Sequence, residues 1–270
     1  MLRVENLVKT FNPGSPNEVR ALRGVSLEVE EGSFALVIGT NGSGKSTLLN
    51  AVAGTFLPDQ GSVRIGAHEV TGWPEHRRAR LIGRVFQNPF SGTAPNMTIA
   101  ENLALAARRG RSRGLSFALG APALRDIKER IRALGMGLED RFHNAIGSLS
   151  GGQRQALTLL MATWRKPDLL LLDEHTAALD PKSADLVIHL TREVIQRDRL
   201  TTLMVTHSMA QAASLGDRLI MMHQGAVIHD FARAHKQRLR PEDLLARFEE
   251  VRRSDQLDPL AAEMLRLTYV

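Results

Sequence analysis

The chain has 270 residues, 43% of them hydrophobic, enough for one large domain or two small ones with a real core. It contains no cysteine, which excludes a disulfide framework and any cysteine-ligated metal. The formal net charge of +6 suits nucleic acid, anionic headgroups or plain solubility, but with 4% aromatic residues a base-stacking platform is poorly supported.

Leu2–Val8 alternates imperfectly and reads as a strand, with Phe11 just after it as a candidate for stacking on an adenine. Asn12–Glu18 holds two prolines and a glycine and reads as a loop; Val25–Val29 reads as the next strand. Phe34–Ile38 is a short apolar run expected to be a buried strand. It runs into GTNGSGKST, which fits the phosphate-loop pattern G-x-x-x-x-G-K-[ST]. Gly39, Thr40, Asn41, Gly42, Ser43, Gly44, Lys45, Ser46 and Thr47 are therefore the expected phosphate cradle. Within it, Lys45 should reach the β and γ phosphates of a bound nucleotide, and Ser46 should place its hydroxyl on Mg²⁺. Lys45–Ala53 should form the following helix, with Leu48, Leu49 and Val52 on its apolar face. Ser62–Ile65 and Leu81–Phe86 are further strand candidates. Asp59, His68, Glu69 and His76 lack any metal-ligand spacing.

Gln87 follows, then a proline-bearing loop over Asn88–Asn96. The composition shifts to helix at Ile99–Arg109, Leu124–Leu134 and Gly151–Arg165, so roughly Asn88–Lys166 is expected as a helical subdomain inserted in a strand-rich core. Arg108, Arg109, Arg111 and Arg113 form a basic cluster that reads as a solvated loop or as a contact with headgroups or an acidic partner. Leu169–Glu174 reads LLLLDE, a strand buried on both faces that ends in two carboxylates. Asp173 is the expected Mg²⁺ ligand, and Glu174 is placed to polarise a water for attack on the γ-phosphate. Pro181–Gln196 should be a helix with Asp180 as its N-cap. Thr201–Val205 is another strand, and His207 just beyond it could hydrogen-bond the γ-phosphate or the attacking water. Leu219–Met222 and Ala226–Asp230 look like a hairpin, and Glu242–Arg253 and Leu260–Leu267 like terminal helical pieces.

Leu149–Gln153 reads LSGGQ, continued by Arg154 and Gln155, and resembles the signature motif of the ATP-binding cassette (ABC) ATPases. In that family a phosphate loop, Gln loop, signature, acidic strand, AALD-like segment and His switch follow one another in this order. Here they correspond to Gly39–Thr47, Gln87, Leu149–Gln155, Leu169–Glu174, Ala177–Asp180 and His207. The resemblance covers about Leu2–Asp230. It implies an α/β fold: a P-loop NTPase core of the ABC ATPase type with an antiparallel β subdomain and the inserted α-helical subdomain at about 88–166. It also implies a nucleotide-binding domain over residues 1–235 and a short helical extension over 236–270.

The implied activity is Mg²⁺-dependent ATP hydrolysis with Glu174, His207 and Gln87 in the catalytic site, and Ser46, Gln87 and Asp173 toward the metal. The implied partner is a second copy of the chain, whose Leu149, Ser150, Gly151, Gly152 and Gln153 would close on the nucleotide, with Asp180 at the dimer seam. No apolar run reaches the ~18–20 residues of a membrane span and no signal peptide is expected at Met1–Lys9, so the chain is expected to be soluble; the resemblance implies a place at the cytoplasmic face of the plasma membrane. Integral-membrane permease subunits would hold it there, with a solute-binding protein in the full system. Phe90, Pro95 and Met97 are the expected apolar contacts for a permease helix. His175 stands where the family usually has proline, and DEHTAALDP is similar to a bacterial importer subgroup linked to aromatic amino acids. The implied function is to power a membrane transporter, a bacterial importer of a small solute such as an amino acid; a single-cassette ATPase driving lipoprotein release or cell-division signalling through a membrane partner is the alternative. Nucleic-acid maintenance is disfavoured, because no sustained heptads for coiled-coil arms are present.

Overall fold

The computed structural model describes residues 1–110 and 120–250. Four strands, β1 (Leu2–Phe11), β2 (Val19–Val29), β4 (Gln60–Ile65) and β5 (His68–Glu69), form an antiparallel sheet in the order β2-β1-β4-β5. Six others, β3 (Phe34–Gly39), β6 (Ile82–Val85), β7 (Leu169–Asp173), β8 (Thr202–Val205), β9 (Arg218–His223) and β10 (Ala226–Phe231), form the main sheet in the order β10-β9-β3-β8-β7-β6. All neighbours in it run parallel except the β9–β10 hairpin, which turns at Gln224 and Gly225, both with positive φ. The helices are α1 (Lys45–Ala53), α2 (Glu75–Arg78), α3 (Ile99–Ala107), α4 (Ala121–Arg132), α5 (Gly151–Thr163), α6 (Pro181–Asp198), α7 (Met209–Ser214) and α8 (Arg233–Lys236), followed by helical residues 241–250.

The leucine run shows how the layers arise. Successive strand side chains alternate faces. Leu169 and Leu171 join the core between the main sheet, α1 and the antiparallel sheet, while Leu170 and Leu172 join the core shared with α5, α6 and α7. All four are fully buried, so β7 is a central strand with no solvent face. A third core lies inside the helical subdomain, built by Ile99, Leu103, Ile127, Ile131, Leu149, Leu157 and Trp164. Leu149 of the signature segment therefore anchors that segment to the subdomain.

Two first-sheet expectations shift. β2 begins at Val19, six residues before the apolar stretch that suggested it, because its first residues, Val19 to Arg23, pair with the end of β1. Phe11 closes β1 rather than following it. In the arginine cluster, Arg109 is not turned to a headgroup. Its guanidinium donates to the carbonyl oxygens of Ala162 (2.8 Å) and Arg165 (3.2 Å), where it caps the end of α5. Arg111, Arg113 and Leu260–Leu267 lie outside the described residues.

Candidate functional site

Parallel strands bring their carboxyl ends to one edge of the sheet, and four adjacent strands deliver the expected site there. β3 ends in the glycine-rich loop, β8 leads to His207, β7 ends in Asp173 and Glu174, and β6 leads to Gln87. In the loop, Gly44 takes φ +96°, and a Cβ there would sit 2.5 Å from the Ala21 carbonyl oxygen. A Cβ on Gly39 would meet the Met222 carbonyl oxygen and Ser43 Oγ, each at 2.4 Å. These two glycines let the loop pack onto the core and open the N-terminus of α1. The Lys45 ammonium donates to the carbonyls of its own loop, Gly39 (2.9 Å) and Thr40 (3.0 Å). Burial pulls its pKa down, and the nearby carboxylates of Glu174 and Asp173 oppose that shift. Ser46 is exposed at the first turn of α1, and Asn41 and Gly42 are exposed at the loop tip.

Glu174 is the hub of the cluster. His207 Nε2 lies 2.5 Å from its Oε1, and Gln87 Nε2 donates to its Oε2 at 3.3 Å. The Glu174 side chain is buried, whereas His207 and Gln87 are exposed. Its backbone takes φ +45°, a left-handed conformation that costs a non-glycine residue about 1–2 kcal/mol. Bonds on either side hold it there: Glu174 N–H to the Val205 carbonyl at 3.0 Å, and Ala177 N–H to the Glu174 carbonyl at 2.9 Å. Burial raises the pKa of Asp173; Arg84, whose Nη2 lies 3.8 Å from Asp173 Oδ2, pulls it back down. The donor set of Ser46 hydroxyl, Asp173 carboxylate and Gln87 amide is all oxygen on the acceptor side, which fits Mg²⁺. Among the described residues no cluster of three His, Cys, Asp or Glu forms a protein-only metal cage.

Ser150 is the N-cap of α5. Its Oγ accepts from Gln153 N–H at 3.3 Å, and Gln153 Oε1 accepts from Ser150 N–H at 3.3 Å, a capping box. The cap uses a lone pair of Ser150, so its hydroxyl proton remains available to an external acceptor. Gly151 is exposed beside it. Gly152 is buried instead: a Cβ there would lie 2.7 Å from Ser183 Cβ and Oγ, so this glycine lets α5 meet the first turn of α6. Asp180 caps α6 by accepting from Ser183 N–H at 3.1 Å, and the Ser183 hydroxyl together with this backbone bond lowers its pKa. Phe11 meets Phe56 edge-on at 5.2 Å and stays half-exposed.

Phe90 is exposed at the surface, with the Arg154 guanidinium 3.6 Å over its ring. Pro95 is exposed and Met97 half-buried on the same loop.

The structure adds contacts around the site that the sequence did not show. Arg84 donates to Asn50 Oδ1 (2.5 Å), stacks on Phe86 (4.5 Å) and neutralises Asp173. A charge inside the apolar run Ile82–Phe86 was its only signal. Arg154 donates to the carbonyls of Ile146, Gly147 and Leu149, fixing the signature segment from within. Gln211 joins Thr206 (2.7 Å) to Thr176 (3.1 Å), and so ties the turn after β7 to the end of β8. His175 is buried among these, and burial pushes its imidazole pKa down to about 4.

The family model described as ABC transporter matches residues 22–177. The tyrosine transport ATP-binding protein of Clostridioides difficile is 41% identical over 251 residues, covering 92% of this chain and 99% of that one. A lipoprotein-releasing system ATP-binding protein of Caulobacter vibrioides is 36% identical, covering 82% of this chain and 92% of its own. Among solved structures, the dimeric post-hydrolysis state of the ATP-binding cassette MJ0796 bound to ADP and Pi superposes with a TM-score of 0.74 at 28% identity, covering 86% of this chain and 98% of that one.

Proposed function

The chain belongs to the ABC transporter family, and from that premise we propose which of its residues turn over ATP and what the hydrolysis drives. It is an ATP-hydrolysing nucleotide-binding subunit of an ABC transporter. The observation that carries the residue assignment is the convergence of His207 and Gln87 on the Glu174 carboxylate at the sheet edge beside Lys45.

Lys45 exchanges its two loop carbonyls for β- and γ-phosphate oxygens, and the backbone N–H groups of Gly42–Thr47 hold the rest of the chain of phosphates. Glu174 accepts the proton of the attacking water as general base, with His207 holding the water or the γ-phosphate in line. Ser46, Asp173 and Gln87 would hold Mg²⁺, which when bound neutralises charge on the phosphate oxygens. Phe11 offers a ring to the adenine. A second copy of the chain covers the nucleotide with Ser150, Gly151 and Gly152, and Asp180 lies along the seam.

No helix among the described residues is long and apolar enough to cross a membrane. The transport path therefore belongs to permease subunits, docked against the loop from Gln87 to Met97 at the cytoplasmic face of the plasma membrane. The solute is an aromatic amino acid, delivered by a solute-binding protein, a reading supported by similarity over nearly the full length of the tyrosine transport relative.

Glu174→Gln should keep ATP binding and lose phosphate release by about 100-fold or more, since general-base catalysis contributes about 10²–10⁴. Retained turnover in the assembled complex removes Glu174 from the role. Co-purification followed by mass spectrometry should recover a permease and a solute-binding protein. Recovery of a lipoprotein-handling membrane partner instead selects the second reading, to which the Caulobacter relative points.

A further inference from the structure

Immediately after Glu174 stands a histidine that the hydrolysis scheme does not use. His175 is 1% exposed, and its Nε2 lies 3.1 Å from the Oγ1 of Thr191, a residue of α6 that is equally buried. Thr191 has a single hydroxyl proton, and the 2.7 Å bond to the Val187 carbonyl engages it. Its oxygen can then only accept from the imidazole. The hydrogen-bond chain runs from His175 Nε2–H to Thr191 Oγ1 and on to the Val187 carbonyl, which fixes the Nε2–H tautomer. Nδ1 is left as an acceptor and makes no hydrogen bond in the structure.

This chain ties the turn after β7 to the middle of α6. The residue on the other side of the tether, Glu174, is the one held at φ +45°. The next residue, Thr176, is tethered separately, through Gln211 Nε2 to its Oγ1 at 3.1 Å. One side of the turn is thus bolted to α6 and the other to α7. The direction of the Glu174 carboxylate depends on both.

We propose that His175 is a positioning residue for Glu174, acting through its Nε2–H bond to Thr191 to hold the carboxylate in line with His207 and Gln87. It rests on the reading of Glu174 as general base. Asp180 caps α6, so the same bond makes the aim of the carboxylate depend on the placement of the helix that begins at the expected dimer seam. A small misplacement of a reacting group is enough to slow chemistry by a large factor without loosening substrate binding.

The test measures steady-state ATP hydrolysis by the full chain, in whichever assembly supports wild-type turnover, for Thr191→Val, Thr191→Ser, His175→Gln and Glu174→Gln. Thr191→Val removes the acceptor and should lower kcat about 10-fold with KM for ATP within about 2-fold of wild type. Thr191→Ser keeps the hydroxyl, and His175→Gln places an amide N–H near the position of Nε2; both should retain most of the turnover. Histidine ¹⁵N NMR should show His175 as the Nε2–H tautomer. Wild-type kcat in Thr191→Val, while Glu174→Gln is inactive, overturns the positioning role and leaves the base assignment standing. Turnover retained by Glu174→Gln overturns both. Should Thr191→Val fail to fold, an Nδ1–H tautomer, or His175→Gln as slow as Glu174→Gln, overturns the proposal.

Discussion

Gly151 and Gly152 are adjacent in sequence and do different work in space. The Gly152 position faces Ser183, where a Cβ would come within 2.7 Å of two side-chain atoms. Gly152→Ala should therefore cost the folded chain about 1–3 kcal/mol by overpacking, read from denaturant unfolding, with part of the loss recovered in Gly152→Ala/Ser183→Gly. At Gly151 the only close atom among the described residues is Leu179 Cδ2, 3.2 Å from where a Cβ would stand and the tip of a side chain that can turn away. Gly151→Ala should leave stability within about 1 kcal/mol of wild type, because alanine is the better helix former. If α5 meets a phosphate across a dimer seam, the same variant should still hydrolyse ATP more slowly. Stability lost equally at both positions would contradict the division of labour.

At the scale of the element, β7 combines two roles that require each other. Its four leucines are buried in two different cores, so the strand cannot slide or tilt without emptying one of them. That rigidity is what presents Asp173 and Glu174 at a fixed height on the sheet edge. Leu170→Ala and Leu171→Ala point into opposite layers yet should each destabilise by about 2–5 kcal/mol, measured by chemical denaturation. An unequal pair, with one substitution near neutral, would mean that one face of β7 is open.

The loop after β6 is held by a different device. Asn102 of α3 is buried and accepts from Ala94 N–H at 2.8 Å while donating to the carbonyls of Ala94, Met97 and Thr98. The loop carrying Phe90 and Pro95 thus has a firm base on the helical subdomain and an exposed tip. Arg154 lies over Phe90 and at the same time holds the signature segment, so the two ends of that subdomain surface are in direct contact.

At the scale of the whole molecule, the chain carries the proposed phosphate cradle on the α1 side and a helix N-terminus with an available serine hydroxyl on α5. One nucleotide can engage the first without the second, which gives a second copy its purpose. Analytical ultracentrifugation of Glu174→Gln should show a dimer with ATP and a monomer with ADP. A mass independent of nucleotide at matched concentration, in the absence of any permease, would contradict a nucleotide-sandwich dimer. Within the arginine cluster, Arg109 is spent inside the chain, on the carbonyls of Ala162 and Arg165 at the end of α5.

What the sequence determined by itself was local or patterned. The glycine-rich loop is legible because phosphate binding needs backbone N–H groups at fixed spacing, and strand, loop and helix are contiguous there. The two-faced burial of β7 is legible because four consecutive leucines leave no polar face, and the hairpin at Gln224–Gly225 because its turn demands positive φ. Only the tertiary structure decided what faces what. Gln87, Glu174 and His207 meet because β6, β7 and β8 are neighbours in the sheet, and a pairing order among strands far apart in the chain has no signature in any one of them. The Arg84 contact with Asp173, the need for glycine at position 152 and the tether from His175 to Thr191 are of the same kind. Each is a contact between elements whose separate sequences satisfy only their own periodicity, and it comes into being only once burial of three apolar cores has set those elements side by side.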